Sequence, residues 1–321
     1  IVFATAPARH VALVGARALQ GTGDTVTPMI VNGGANFCNA TGTVLFALGI
    51  GPVPRLGIVG IGLATLLART LEAVAVTAAI ASSHTRLSFA RPQSLTITRQ
   101  IVAVSLPNFA EGMSSSLANF PFNALLLLFG TEVNAAYHIG RRIYQQLTGP
   151  IYRAISTAAS IMVGQLLGEG DPADARYTGF AIAALSIVTM GFAGAVLVVG
   201  AAPIASVFTN DPETLGHAVT FTEIFGISMV FFGIFFPFAG SLRGAGDTRT
   251  PFYARSIGTF GFMLGVSYLL AIPLEWGLSG IYVGIVASYG CWAVIVVVGF
   301  VRGDWAKRAA GMMKERESIP D

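Results

Sequence analysis

Glu111 is the residue best suited to chemistry in this sequence. It stands about ten residues into an apolar run, just after Pro107. A carboxylate inside lipid is costly, and is retained where it serves a function. Asn108, Ser115 and Asn119 fall on the same helical stripe, and all three are polar. A low-dielectric setting favours the neutral acid. Glu111, with Asn108 and Ser115 beside it, is therefore expected to exchange a proton, or to exchange it for Na⁺. Glu223 is a secondary acid, read first as a hydrated helix-end residue.

A second polar set lies downstream. His138, Arg141 and Gln145 are spaced i, i+3 and i+7, with Arg142 adjacent. Such a face cannot point at lipid, so it lines a cavity or pairs within a bundle, where one arginine could meet Glu111. Asn36 and Asn39 line a cavity or bond between helices. Phe232, among Phe120, Phe122, Phe231, Phe235 and Phe236, suits either packing or an aromatic wall that attracts a cation. Arg69 and Glu72, at i and i+3, read as a structural ion pair.

The elements that must position these residues follow from composition. Of 321 residues, 54% are hydrophobic and 11% charged. A soluble domain carries about 25% charged residues. Mean hydropathy is +0.69. This excludes a disordered tail, a disulfide scaffold and an ordinary cytosolic enzyme; Cys38 and Cys291 stand far apart in apolar runs. A spanning helix needs about 20 apolar residues. One partial span, 1–18, and eight full ones are predicted: 28–50, 57–82, 101–129, 135–167, 175–202, 217–242, 251–272 and 278–301. The connections alternate between basic and acidic. Arg17, Arg86, Arg91, Arg99, Arg176, Arg243, Arg249 and the tail are assigned to the cytoplasm; Glu132, Asp211, Glu213 and Glu275 lie opposite, and Arg55 is the exception.

The chain also repeats itself. LQGTGDTVTP at 19–28 recurs as LRGAGDTRTP at 242–251, an offset of 223. GIVGI at 57–61 recurs as GLSGI at 277–281, an offset of 220. Both copies start on the same side, which makes a parallel repeat. In each loop, Gly21 and Gly23, or Gly244 and Gly246, permit a turn with positive φ. Asp24 or Asp247 caps the next helix, and Pro28 or Pro251 sits in its first turn. Both loops read as cytoplasmic hinges. Projecting the longer second copy onto the first places the natural start upstream of Ile1. The expected domains are 1–82, the C-terminal part of an N-lobe; 83–100, a cytoplasmic inter-lobe linker; 101–302, a C-lobe; and 303–321, a cytoplasmic tail.

The paired loops GTGDTVTP and GAGDTRTP resemble those of the multidrug and toxin extrusion (MATE) family. So do Ser105-Leu-Pro107 with Glu111, VGQLLGEGDP at 163–172, and Gly277 with Gly280-Ile281. The resemblance covers essentially the whole chain, as helices four to twelve of twelve. It implies an all-α integral membrane fold of two six-helix bundles around a central cavity. It also implies efflux of organic cations in exchange for Na⁺ or H⁺, with the coupling acid on the helix of Glu111. Two departures stand out. Phe232 occupies the position of an acid often found eleven residues before the loop arginine. Thr43 replaces the acid of an Asn-x-x-x-Asp pattern that starts here at Asn39.

No GxxxxGK[ST], HExxH or GxSxG is present, so neither an enzyme nor an ATP-driven pump is expected. The reading is a monomeric secondary exporter in a prokaryotic cell membrane, multi-pass, with a cytoplasmic C-terminus. It needs no cofactor beyond the coupling ion, Na⁺ or H⁺. Its partners are a small organic, cationic substrate and membrane lipid, and not nucleic acid. The alternative is a lipid-linked oligosaccharide flippase, whose pyrophosphate Arg141, Arg142 and Arg153 would suit. A membrane enzyme or receptor is the reading from another class, and lacks a catalytic constellation.

Overall fold

The structure is a computed structural model that describes residues 2–50, 54–82, 85, 87 and 95–317. Arg86, Arg91 and most of the expected linker lie outside the described residues. The described residues form helices and connections and no strand. The chain divides into two compact units, Ile1–Gln93 and Ser94–Asp321.

The first unit holds α1 (Ala6–Gly21), α2 (Val26–Leu48) and α3 (Gly57–Ala81), after a 3₁₀ turn at Val2–Thr5. Both α1 and α2 pack on α3. The second unit holds α4 (Leu95–Leu127), α5 (Thr131–Gly168), α6 (Pro172–Val199), the short α7 (Ala201–Ala205) and α8 (Pro212–Gly244). A continuous rod follows: α9 (Arg249–Ser256), a π-helical stretch (Ile257–Val266) and α10 (Ser267–Ala271). The chain then runs through α11 (Leu278–Arg302) and α12 (Trp305–Glu317).

Local chemistry sets several of these starts. Asp171 caps α6 by accepting from the Ala173 and Asp174 amides, with Pro172 in the first turn. Asp211 does the same for α8 through the Thr214 amide. The Thr214 hydroxyl first, and its amide second, hold the Asp211 carboxyl below the usual aspartate range. The repeated loops use one device twice. Asp24 accepts from the Thr27 amide at 3.0 Å, and Asp247 accepts from the Arg249 and Thr250 amides at 3.2 Å. The Thr27 contact likewise holds Asp24 low. Only the second glycine of each loop has positive φ, at 89° in Gly23 and 79° in Gly246. Gly21 and Gly244 end their helices in helical geometry instead, which corrects the expectation that both glycines serve the turn.

Three other expectations change. Residues 95–100, read as linker, are the first turns of α4. Glu111 is thereby the middle residue of that helix rather than ten residues from its start. Glu223 lies well inside α8 and is no helix-end acid. The expected tail carries a packed helix: Trp305 of α12 is buried, stacks on Phe300 at 5.0 Å and donates to its carbonyl.

Among the described residues, five helical segments are long and apolar enough to cross a membrane: Gly57–Ala81, Pro172–Val199, Pro212–Gly244, Arg249–Ala271 and Leu278–Arg302. Helices α2, α4 and α5, also expected as spans, are long enough but more polar. They carry Asn32, Asn36, Asn39, Glu111, His138, Arg141 and Arg142.

Helix α8 is the centre of the second unit, packed on α5, α6 and α11. Lipid-soluble helices associate through close backbone approach at small residues. At Gly240 and Gly244 the α8 backbone lies against the Ser156 and Ser160 carbonyls of α5, where a Cβ would overlap the oxygen. A Cβ at the repeat-equivalent Gly21 meets nothing within 4 Å. Gly244→Ala is therefore expected to cost about 1–3 kcal/mol. Thermal unfolding in detergent checks this. Gly244→Ala should lower Tm while Gly21→Ala leaves it unchanged, and equal behaviour of the two would refute the packing argument.

Candidate functional site

Glu111 lies 4% exposed between α8 and α9. Arg243 Nη2 donates to both carboxylate oxygens at 2.9 Å, and Arg255 Nη1 donates to Oε1 at 3.2 Å. The two arginines come from either side of the GAGDT loop: Arg243 ends α8, and Arg255 closes the second turn of α9. A Ser114–Ser256 hydroxyl contact at 3.1 Å adds a further tie between α4 and α9. One carboxylate therefore joins three helices. The low-dielectric setting expected to favour a neutral acid is corrected, because guanidinium groups face both oxygens. The expected arginine partner from the His138 face is corrected too. Arg141 instead donates to Asn119 Oδ1 at 2.9 Å. Ser115 is turned back to the Glu111 carbonyl, and Asn108 is exposed.

Beside this tie is a cavity of about 100 Å³. Its lining includes Asn119, Arg141 and Gln145, expected from the sequence, and Arg255, Thr259, Met263 and Trp292, which were not. The π-helical stretch explains part of this. A turn closed by i→i+5 bonds takes more than four residues, so positions four apart stay on one face. Thr259 and Met263 of this stretch are so spaced, and they reach one cavity with Arg255 of α9. Aromatic rings close the rest. Phe232 meets Tyr289 edge-on at 4.7 Å, and Tyr152 stacks on Phe236 at 4.0 Å. Arg255 lies 4.8 Å over the Trp292 ring.

His138, Arg141, Arg142 and Gln145 also border an open pocket of about 460 Å³ with Phe208. Neither lining contains a carboxylate. The two linings are therefore net basic. A well-placed ring attracts a cation by about 0.5–2 kcal/mol. A like charge 4 Å away repels it by about 4 kcal/mol at an effective dielectric of 20. The aromatic wall is present, but arginine decides its polarity. Glu223 is half-buried and makes no ion pair among the described residues.

The first unit builds its own cluster. Glu72 is buried, pairs with Arg69 at 2.6 Å and accepts from Asn32 at 2.9 Å. Asn36 donates to Asn32, and Asn39 accepts from Thr65. These residues, except Asn36, Asn39 and Thr65, border a pocket of about 670 Å³ that also takes in Arg9 and Arg17. The repeat offsets assign Asn32 and Glu72 to the positions of Arg255 and Trp292. Corresponding places thus hold a buried acid with an amide in one unit, and a guanidinium on an indole in the other.

Arg255 had a signal that sequence reading passed over. An arginine within an apolar run carries the same cost as Glu111 and asks for the same explanation. The loop residues Gly21, Gly23, Asp24, Pro28, Gly244, Gly246, Asp247 and Pro251 form helix connections. Asp247 also meets Arg308 of α12 at 3.4 Å.

Residues 107–269 match the MatE family model, half of the chain, and the chain belongs to that family. The probable multidrug resistance protein NorM of Thermotoga maritima is 28% identical over 306 residues, 93% of this chain and 64% of that protein. The multidrug resistance protein NorM of Burkholderia vietnamiensis is 29% identical over 261 residues, 77% of this chain and 55% of that protein. The chain thus spans little more than half to under two thirds of these relatives. Two solved structures share the fold. A MOP superfamily transporter from Pyrococcus furiosus superposes with a TM-score of 0.82 at 20% identity, covering 94% of this chain and 66% of that one. A MATE structure in the bent conformation gives 0.79 at 20% identity, covering 96% and 67%. The fold is all-helical and MATE-like.

A double-mutant cycle measures the tie. Glu111→Gln and Arg243→Gln, singly and together, should show a coupling of roughly 0.5–3 kcal/mol in unfolding free energy. Additive effects would mean that the contact contributes nothing.

Proposed function

We propose that the protein is a secondary active multidrug exporter, which moves small organic substrates by alternating access in exchange for protons. The MatE family match and the NorM relatives support the transport class. The observation that carries the coupling role is one buried carboxylate shared by α4, α8 and α9. Protonating Glu111 removes the charge that holds both guanidiniums. Hydrogen bonds to a charged group contribute about 1.5–3 kcal/mol each. Moving a two-state equilibrium from 1:99 to 99:1 takes about 5.5 kcal/mol. Three such contacts are of the right size to bias a switch.

The donor set disfavours Na⁺, and it admits H⁺ only as Arg243 and Arg255 part from the carboxylate they keep charged. A sodium ion at Glu111 would sit against two guanidiniums with Asn108 turned away, so its expected oxygen shell is not assembled. A proton needs no shell. The capped GxGDTxTP loops act as hinges in this reading, because rigid helices must pivot where the backbone turns. The bacterial relatives support the cell membrane of a prokaryote, and the basic connections and tail support a cytoplasmic C-terminus. A monomer with no enzymatic step completes the proposal.

Substrate counterflow in liposomes tests it. A pH gradient should drive flux, a Na⁺ gradient should not, and Glu111→Gln should reduce coupled flux at least about 100-fold while passive binding persists. Undiminished flux in that variant would remove Glu111 from the mechanism, and flux driven by Na⁺ alone would reverse the choice of ion.

A further inference from the structure

The aromatic cavity of the second unit holds buried polar groups that the tie to Glu111 does not use. Thr259 is 5% exposed and Trp292 is 6% exposed, and both line the cavity. Thr259 Oγ1, Trp292 Nε1 and Arg255 Nε are buried and have no hydrogen-bond partner among the described residues. Leaving such groups unmet carries the full cost of desolvation. Two of the three, the indole and the guanidinium nitrogen, can only donate. What satisfies them must therefore accept. The charge balance points the same way. Arg141 leans on a neutral amide, and Arg255 shares its one carboxylate with Arg243.

From this juxtaposition we propose that the cavity is a subsite for an anionic head group, a carboxylate or phosphate, on an otherwise apolar or aromatic ligand. At about 100 Å³ it is well below the ~300–1,000 Å³ of a site that encloses a drug-sized molecule, so it takes one end of its ligand. The guanidiniums of Arg141 and Arg255 bind the head, and Trp292 Nε1–H and Thr259 Oγ1–H, closed off from the cavity surface, turn to donate to it. The Tyr152–Phe236 stack and the Phe232 ring meet the apolar part. The head group could belong to a free organic anion or to a lipid phosphate, which offer the same acceptor chemistry.

The inference rests on the exporter reading only in that the transported molecule is the intended occupant. Equilibrium binding needs no gradient, so the two fail separately. Retained anion preference without proton-driven flux would sink the exporter alone, and proton-driven flux without anion preference would sink this subsite alone.

The test is titration calorimetry on the purified protein with naphthalene carboxylate and naphthylmethylammonium, which match in ring and size, and with dihexanoyl phosphatidylglycerol as the phosphate probe. At least one anion should bind tenfold or more tightly than the ammonium, on the order expected for charge-assisted bonds. Tighter binding of the carboxylate identifies a free anion, and tighter binding of the phospholipid identifies a headgroup. Trp292→Phe keeps a ring and deletes the donor. It should weaken the preferred anion about tenfold and leave the ammonium unchanged. Thr259→Val and Arg141→Gln provide the same comparison if Trp292→Phe does not fold. Ammonium binding equal to or tighter than both anions, or anion affinity indifferent to all folded variants, would overturn the proposal.

Discussion

The second unit depends on a shared charge. Glu111 is too buried to be solvated and too central to be avoided, so it must be met from within. Arg243 and Arg255 meet it from the two ends of one loop, which makes the loop geometry and the ion contact a single device. The capped turn at Asp247 fixes where the rod starts, and this fixes where Arg255 arrives. The same arginine then reaches past the carboxylate to Trp292 and the aromatic cavity. A change in charge at Glu111 is therefore felt at the cavity through one side chain, with no longer path required.

The internal repeat shows how one backbone plan carries two chemistries. Asp24 and Asp247 cap equivalent helices, and Gly23 and Gly246 turn equivalent loops. The side chains two turns further on differ. Asn32 donates to Glu72 in one unit, while Arg255 covers Trp292 in the other. Backbone hydrogen bonding repeats because it is independent of side-chain identity. Polarity does not, because both members of the pair differ between the two copies.

Much of the helix layout was legible, because a twenty-residue apolar run has few alternatives in lipid. The start of α11 at Leu278 and the end of α3 near Ala81 lie within a residue of the expected bounds. Glu111 stood out by cost alone. Its partners did not, because they lie 132 and 144 residues away and no local spacing connects them. Arg243 read as a loop charge, since a residue at a helix end gives no sign that it folds inward. The π-helical stretch left no pattern either: IGTFGFMLGV is apolar on every face, so its wider turn is set by packing. Residues 303–321 read in sequence as a cytoplasmic tail, and the burial of Trp305 against Phe300 shows why α12 packs there.

The central claim is that the charge on Glu111 holds α4 to α8 and α9. It is tested most directly by pulsed electron resonance between spin labels at Ser116→Cys on α4 and Tyr253→Cys on α9. Both positions are exposed, and Cys38 and Cys291 would be replaced by serine. The account predicts a single distance at neutral pH, a second one appearing in acid, and the second alone at every pH when Glu111→Gln is added. One unchanging distance across pH and in the variant would contradict it.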